Sequence, residues 1–281
     1  RDLRMSRGLG DVYKRQPAGY EAGYVDSLSN RSHSRSNGHD LNVGFNYSDD
    51  TWMFNASLGV TPQKRTIDRK VGKLYADTTM RTIDYQPMIW LSWRKKKMRV
   101  SLNYNGRTRQ PSLSDLMPLT DNSDPLYITR GNPDLKQMFM HTMHVSFQHP
   151  SKGISANLGW QMEKNSVTQV VLYDVQTGGR EIYPININGN WNTYGSADWW
   201  KRFGHFSLKL STSGRHSNRV SMINEDRSQQ PEKSTTRDTG LNCEMAASYQ
   251  PTWGGFDFST SWDYQYLSLI HISEPTRHAQ I

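Results

Sequence analysis

Segment after segment of this 281-residue chain places apolar side chains at every second position with polar ones between them. Period two belongs to a β-strand whose two faces meet different surroundings. The clearest run follows the basic tetrad Arg94, Lys95, Lys96 and Lys97. There Met98, Val100, Leu102 and Tyr104 point to one side, and Arg99, Ser101, Asn103 and Asn105 to the other. Every second residue is polar, so a hydropathy scan averages the signal away. Lipid-facing and lumen-facing residues alternate in this manner along each span of a transmembrane β-barrel.

Composition narrows the choice. Hydrophobic residues make up only 35% of the chain, less than a large water-soluble core asks for, yet nine Trp and fourteen Tyr are more than a disordered chain carries. Such aromatics suit barrel surfaces and interfacial girdles. No apolar run reaches the roughly 18 residues of a membrane-crossing helix. The single Cys243 has no internal disulfide partner and falls on the apolar face with Leu241 and Met245, as a small hydrophobe. The net charge of +8 admits acidic partners such as lipopolysaccharide, but the basic residues are scattered and form no nucleic-acid module, so no nucleic-acid partner is expected.

Both ends differ from the rest. Residues 1–16, ending in VYKRQ, and residues 268–281, SLIHISEPTRHAQI, break the alternation and hold no secretion signal. They resemble peptides translated from sequencing-adapter sequence. The expectation is two non-native tails around residues 17–267, an internal piece of a larger barrel domain.

Within that piece the apolar series pair into five hairpins. Leu41 to Tyr47 turns at Ser48–Asp50 into Trp52 to Val60; Ile83 to Trp93 turns through the basic tetrad into Met98 to Tyr104. Met143 to Phe147 turns at Pro150–Gly153 into Ile154 to Met162, and Tyr183 to Trp199 turns at Lys201–Gly204 into Phe206 to Leu210. Leu241 to Tyr249 turns at Pro251–Gly254 into Phe256 to Tyr266. These are about ten strands, each with the roughly nine to eleven residues that a tilted crossing needs. Short turns alternate with longer connections at 61–79, 105–138, 174–180 and 215–236. Outer-membrane barrels keep short turns on the periplasmic side and long loops outside, so strands starting at Met98, Ile154, Phe206 and Phe256 run outward.

Charge placement agrees with that topology. No Lys or Arg interrupts the apolar series, and Arg81, Lys164 and Lys201 are expected at strand ends within reach of headgroups. The opposite, lumen-facing side carries Arg99, Asn103, Glu163, Asn186, Asn188, Asn190, Lys209, Glu244, Asp257 and Asp263. Trp93, Trp199, Trp200 and Trp253 sit beside the short turns, as a girdle would. A water-soluble β-sandwich also alternates, but its strands average about five or six residues, and nothing makes it alternate short with long connections. Pro87 removes a ladder donor and is expected at a bulge or edge.

The connection after Tyr104 reads YNGRTRQPSLSDLMPLTDNSDPLYITRGNPDLKQMF, rich in residues that fix or cap turns. It closely resembles the corresponding segment in the barrel domain of Bacteroidota TonB-dependent receptor-like proteins. Three elements carry the likeness: Arg109 with Pro111, then Asp121, Asn122 and Pro125, then Gly131, Asn132, Pro133 and Leu135. The NINGN stretch at 186–190 and the WW-KRFG turn extend it. The family often follows its G-N-P-x-L-x-P element with an acidic residue, where this chain has Gln137 and Met138. The resemblance implies an outer-membrane barrel of 22 strands, gated by a plug domain and energised through TonB, ExbB and ExbD. Nutrient import is inherited from the family, as are a small nutrient ligand and a surface lipoprotein as partners; neither a plug nor a TonB-contacting segment is legible in these residues.

Other chemistry finds little footing. His141 and His144, three apart on a strand, point to opposite faces, which argues against a shared metal. Asp121, Asp124 and Asp134 lack an EF-hand spacing and read as turn caps. No G-x-S-x-G nucleophile motif occurs, and no catalytic residue, cofactor or metal is assigned. Arg107, Arg109 and Arg130 flank the motif loop; they are expected to tie it down through Asp121 or Asp124, with an anionic ligand or lipopolysaccharide phosphate as the alternative. The expectation is an all-β, antiparallel, meandering transmembrane barrel in the bacterial outer membrane, forming the wall of an importer and not an enzyme. Two rivals stand beside it: a non-transporting barrel that anchors a surface-binding or assembly partner, and an outer-membrane hydrolase.

Overall fold

A computed structural model describes residues 30–71, 74–118, 120–124, 126–223 and 231–271. Residues 1–16 and 272–281 lie outside the described residues. The alternating segments form one large antiparallel sheet. Along the chain its members are β1 (Asn30–Gly38), β2 (Leu41–Ser48), β3 (Trp52–Val71), β4 (Leu74–Lys95) and β5 (Met98–Arg109). After a four-residue helix α1 (Leu113–Leu116) come β6 (Thr120–Asp124) and β7 (Tyr127–Arg130), which belong to a second sheet, and β8 (Met138–His149) and β9 (Ile154–Lys164) resume the first. The hairpin β10 (Ser166–Tyr173) and β11 (Arg180–Ile187) returns to the second sheet. Then β12 (Asn190–Phe203), β13 (Phe206–Ile223), β14 (Glu232–Tyr249) and β15 (Phe256–His271) complete the large one.

The large sheet is a meander in the order β1-β3-β4-β5-β8-β9-β12-β13-β14-β15. β1 and β2 share one edge of β3: β2 pairs with Met53–Val60 and β1 with Gln63–Val71. Its outer strands, β1 with β2 on one side and β15 on the other, leave the sheet open.

Register sorts the two faces across the whole width. One row runs Tyr47, Phe54, Leu91, Leu102, Val145, Leu158, then Gly195 and Gly214, and ends in Leu241 and Tyr264. One residue along each strand, the row is Met53, Ser92, Ser101, Ser146, Asn157, Ser196, Ser213, Asn242 and Asp263. A one-residue slip in any pair would bring these polar groups into the apolar face, so the pattern itself fixes the pairing. Short hydroxyls meet across the strands on the polar side, with Ser101 and Ser146 oxygens 2.6 Å apart. At the short-turn end, Phe203, Phe206, Tyr249 and Phe256 pair in succession as an aromatic band, and Trp52 faces Trp93 at 6.3 Å between ring centroids.

Several connections read as loops are strand. β3 and β4 run 20 and 22 residues and stay paired through Val71 and Leu74, across most of 61–79; β13 and β14 stay paired through Ile223 and Glu232. At about 3.4 Å per residue, 22 residues reach about 75 Å, far beyond the roughly 30 Å of hydrocarbon. The extensions are polar on both faces, which hid them from a search for alternation. Lys64 lies directly opposite Arg81, and Asp68 opposite Asp77, pairings that only water makes tolerable. Arg81 is therefore well inside β4, in its aqueous part, and not at a strand end. Pro87 sits within β4 opposite Leu58, beyond the last β4–β5 pair at Met88 and Asn105. β15 continues past Leu267 to His271, four residues beyond the expected end of the barrel segment.

The second sheet has the order β10-β11-β7-β6, with β11 and β7 parallel. Residues 183–199, read as one strand, are thus two. Ile187 ends β11, Gly189 turns the chain with φ 119°, and Asn190 starts β12 in the other sheet. A φ in that range suits glycine and few other residues. The buried apolar side chains among the described residues, Leu116, Met117, Leu135, Met138, Val170, Ile187 and Val220, gather at this long-connection end. The apolar rows of the large sheet are exposed toward its edges, as at Val43, Phe45, Phe258 and Trp262, and half-buried in its middle, as at Leu91, Leu102 and Val145.

Candidate functional site

The connection after β5 folds into a platform held by its own polar groups. Pro111 is buried, and the Ser112 hydroxyl caps α1 by accepting the Asp115 amide at 3.1 Å. The backbone of Asp115 and Met117 then closes over Gly131, where an added Cβ would lie 2.0 Å from the Met117 carbonyl oxygen. Only glycine fits. Next to it the Asn132 amide donates to the Asp115 carbonyl at 2.5 Å, its side-chain NH2 donates to the Pro184 carbonyl at 3.0 Å, and its Oδ1 accepts the Asp134 amide. Pro133 sits in the turn that follows, and Leu135 is buried beneath it.

Asn186 makes the reciprocal clasp. Its Oδ1 accepts the Lys136 amide at 2.7 Å, while its Nδ2 donates to the carbonyls of Lys136 and Asn165 at 3.0 and 2.9 Å. Asn188 Oδ1 accepts the Asn165 amide at 2.7 Å, which steadies Asn165 at φ 55°. The G-N-P element and the NINGN stretch, 50 residues apart, are therefore one structure. Asn186 lies in β11 of the second sheet and Asn188 in the turn that follows it, so neither belongs to the large sheet, a correction that follows from the break at Gly189.

Arg130 ties the platform differently from the expectation. Its Nε lies 2.9 Å from Glu181 Oε1, and its guanidinium stacks over Tyr183 at 4.6 Å. Glu181, and not Asp124, is its anchor among the described side chains. The Asp124 carboxylate instead accepts the Leu126 amide at 2.9 Å. Arg107 and Arg109 are exposed at the end of β5. Asp121 and Asn122 belong to β6, but their side chains lie outside the described residues, as does Pro125 altogether. A second stack, Arg180 over Tyr127 at 4.4 Å, was not anticipated. Nothing in the sequence marks Glu181 or Arg180: Arg180 closes the connection 174–180, and Glu181 stands just before the apolar series that begins at Tyr183.

The other polar residues assigned to one face do share it. Asn103 faces Trp90 and His144, Lys209 faces Trp200 and Ala246, Asp257 faces Ser248, and Asp263 accepts the Asn242 side-chain amide. Glu163 stands between Met140 and Asn190 and accepts the Ser166 hydroxyl at 2.9 Å. On the same side Arg215 pairs with Asp238 at 2.9 Å. His141 packs with Phe139 and Trp160 on one face, and His144 near Tyr194 on the other.

The outer membrane protein beta-barrel family model matches residues 80–269, more than half of the chain. The chain belongs to that family. As a member of this outer-membrane barrel family it resides in the bacterial outer membrane. Outer-membrane barrels keep short turns at the periplasm and long connections outside the cell. Among curated proteins none matches. Among solved structures, the crystal structure of the siderophore receptor PirA from Pseudomonas aeruginosa is similar over 85% of this chain and 57% of its own, with 12% identity and a TM-score of 0.40. The chain thus spans 57% of that receptor chain.

Proposed function

We propose that this barrel forms part of the transport wall of a TonB-dependent receptor that brings a scarce nutrient, a glycan, peptide or metal chelate, across the outer membrane. The observation that carries the reading is the clasped platform. The loop elements on which the family resemblance rests are joined through Asn132 and Asn186 into one ordered body at the extracellular end. A barrel that only anchors a partner has no need of strands this long crowned by a second sheet. Long ordered loops are characteristically functional.

In this reading the wall does no covalent chemistry. A plug domain, moved by TonB with ExbB and ExbD, gates the lumen, lipopolysaccharide surrounds the outer rim, and a surface lipoprotein serves as a further partner. The test is uptake by the bacterium that carries the gene, measured with labelled glycans, peptides and metal chelates before and after deletion and with TonB disabled. Uptake lost in both strains supports the proposal. Ligand binding that persists without TonB and leads to no uptake favours the anchoring barrel, and hydrolysis of the ligand at the surface favours an enzyme.

A further inference from the structure

We infer that the extracellular tip of the platform is a binding site for short peptides with a free carboxylate beside an apolar side chain, an inference that rests on the import reading and names its substrate class. The site is one row of the second sheet. Tyr173 pairs with Arg180, Arg180 with Tyr127, and Tyr127 with Asp124, so these four side chains stand side by side on one face. Two turns extend the surface: the Arg180 amide donates to the Leu126 carbonyl at 2.9 Å, and the turn carrying Val175 closes through Asp174 and Gly179 at 2.8 Å.

Four large hydrophobic residues are therefore exposed together in the watery part of the molecule: Leu126 at 54%, Tyr127 at 39%, Tyr173 at 48% and Val175 at 70%. Contiguous apolar surface outside the lipid zone marks an interaction site. Tyrosine and arginine are the residue types that dominate binding energy at such sites. Arg180 is held flat by Tyr127, and among the described residues it forms no ion pair. A guanidinium fixed in this way keeps its planar fork ready for a carboxylate. The nearby carboxylates of Asp124 and Asp174 are occupied with their own turns, accepting the Leu126 amide and the Gln176 and Thr177 amides.

Leu126 and Val175 decide the ligand class. Their branched aliphatic surfaces offer no hydrogen bond, so a sugar would leave hydroxyls desolvated and unpaired against them, at a cost in affinity. A peptide places an aliphatic or aromatic side chain there and its carboxylate on Arg180.

The experiment uses outer-membrane vesicles from the bacterium that makes the protein. The probes are radiolabelled N-acetyl-Leu-Phe as the free acid, the same dipeptide as its amide, a neutral oligosaccharide and inorganic phosphate. The free acid should bind best, with Arg180→Gln weakening it about tenfold and Arg180→Lys less, since one charge-assisted contact is worth about that factor. Val175→Asp should weaken both dipeptides, and Arg180→Gln should leave the amide unchanged. The inference is overturned if Arg180→Gln leaves free-acid binding intact, if phosphate competes as well as the peptide does, or if the oligosaccharide binds as tightly. Binding is read without energisation, so peptide binding with no uptake by the intact bacterium would count against the transporter reading and not against this site.

Discussion

The ring of Tyr194 lies directly over the backbone of Gly159: a Cβ added to Gly159 would sit 2.1 Å from Tyr194 Cζ. The two residues are register partners on the polar face of β9 and β12. The aromatic ring covers the strand position that glycine leaves bare, a known device for rescuing glycine in a sheet. Gly159→Ala should expel the ring and cost about 1 to 3 kcal/mol, as overpacking commonly does. Tyr194→Ala alone should also destabilise, and in the double variant the two losses should add to less than their sum. Denaturant midpoints of the protein in detergent check the cycle.

Leu102 and Asn103 are neighbours whose side chains are assigned to hydrocarbon and to water. Leu102→Arg should destabilise the membrane-embedded protein by about 2 to 4 kcal/mol, the cost of arginine on a lipid face at mid-bilayer. Asn103→Arg should cost about 1 kcal/mol or less, in the range of ordinary surface changes. Lipid-phase labelling of cysteines at the two positions should mark 102 and spare 103. Equal labelling would remove the basis for the two-faced wall.

Alternation is legible where one face is apolar, and in most such segments the sequence reading and the structure agree: Trp52 to Val60, Met98 to Tyr104 and Phe256 to Tyr266 pair as expected. It failed where both faces are wet. Thr66 and Thr79 pair hydroxyl to hydroxyl deep in a region read as loop, held by a backbone ladder that leaves no hydropathic trace. The clasp was only half legible. The elements containing Asn132 and Asn186 each stood out, but a contact across 50 residues is a fact of tertiary structure that no local pattern encodes. The break after Ile187 had a signal in Gly189, outweighed by an apolar alternation that ran on through it.

Asn186 should prove the keystone of the platform and nothing beyond it. It gives two hydrogen bonds and accepts one, all to backbone. Asn186→Asp keeps the acceptor and loses both donors, leaving the Lys136 and Asn165 carbonyls without them at about 1 to 3 kcal/mol. Hydrogen exchange should rise around Lys136 and Asn165 while the amides of β13 and β14 keep their protection. A uniform rise over the large sheet would instead mean that the platform supports the wall.

Asp49 makes the turn between β2 and β3 sensitive to acid. Its carboxylate is held below the usual range, first by the Tyr47 hydroxyl at 2.7 Å, then by the amides of Trp52 and Thr51 at 2.6 and 2.7 Å. A carboxyl lowered on folding adds stability that is present above its unfolded value, near about 3.9, and is lost as the pH falls through the lower folded value. The turn should therefore hold at neutral pH and loosen only in strong acid. Amide shifts of Thr51 and Trp52 should titrate together in that window. In Asp49→Asn both amides should shift little with pH, because the group that they hold no longer ionises.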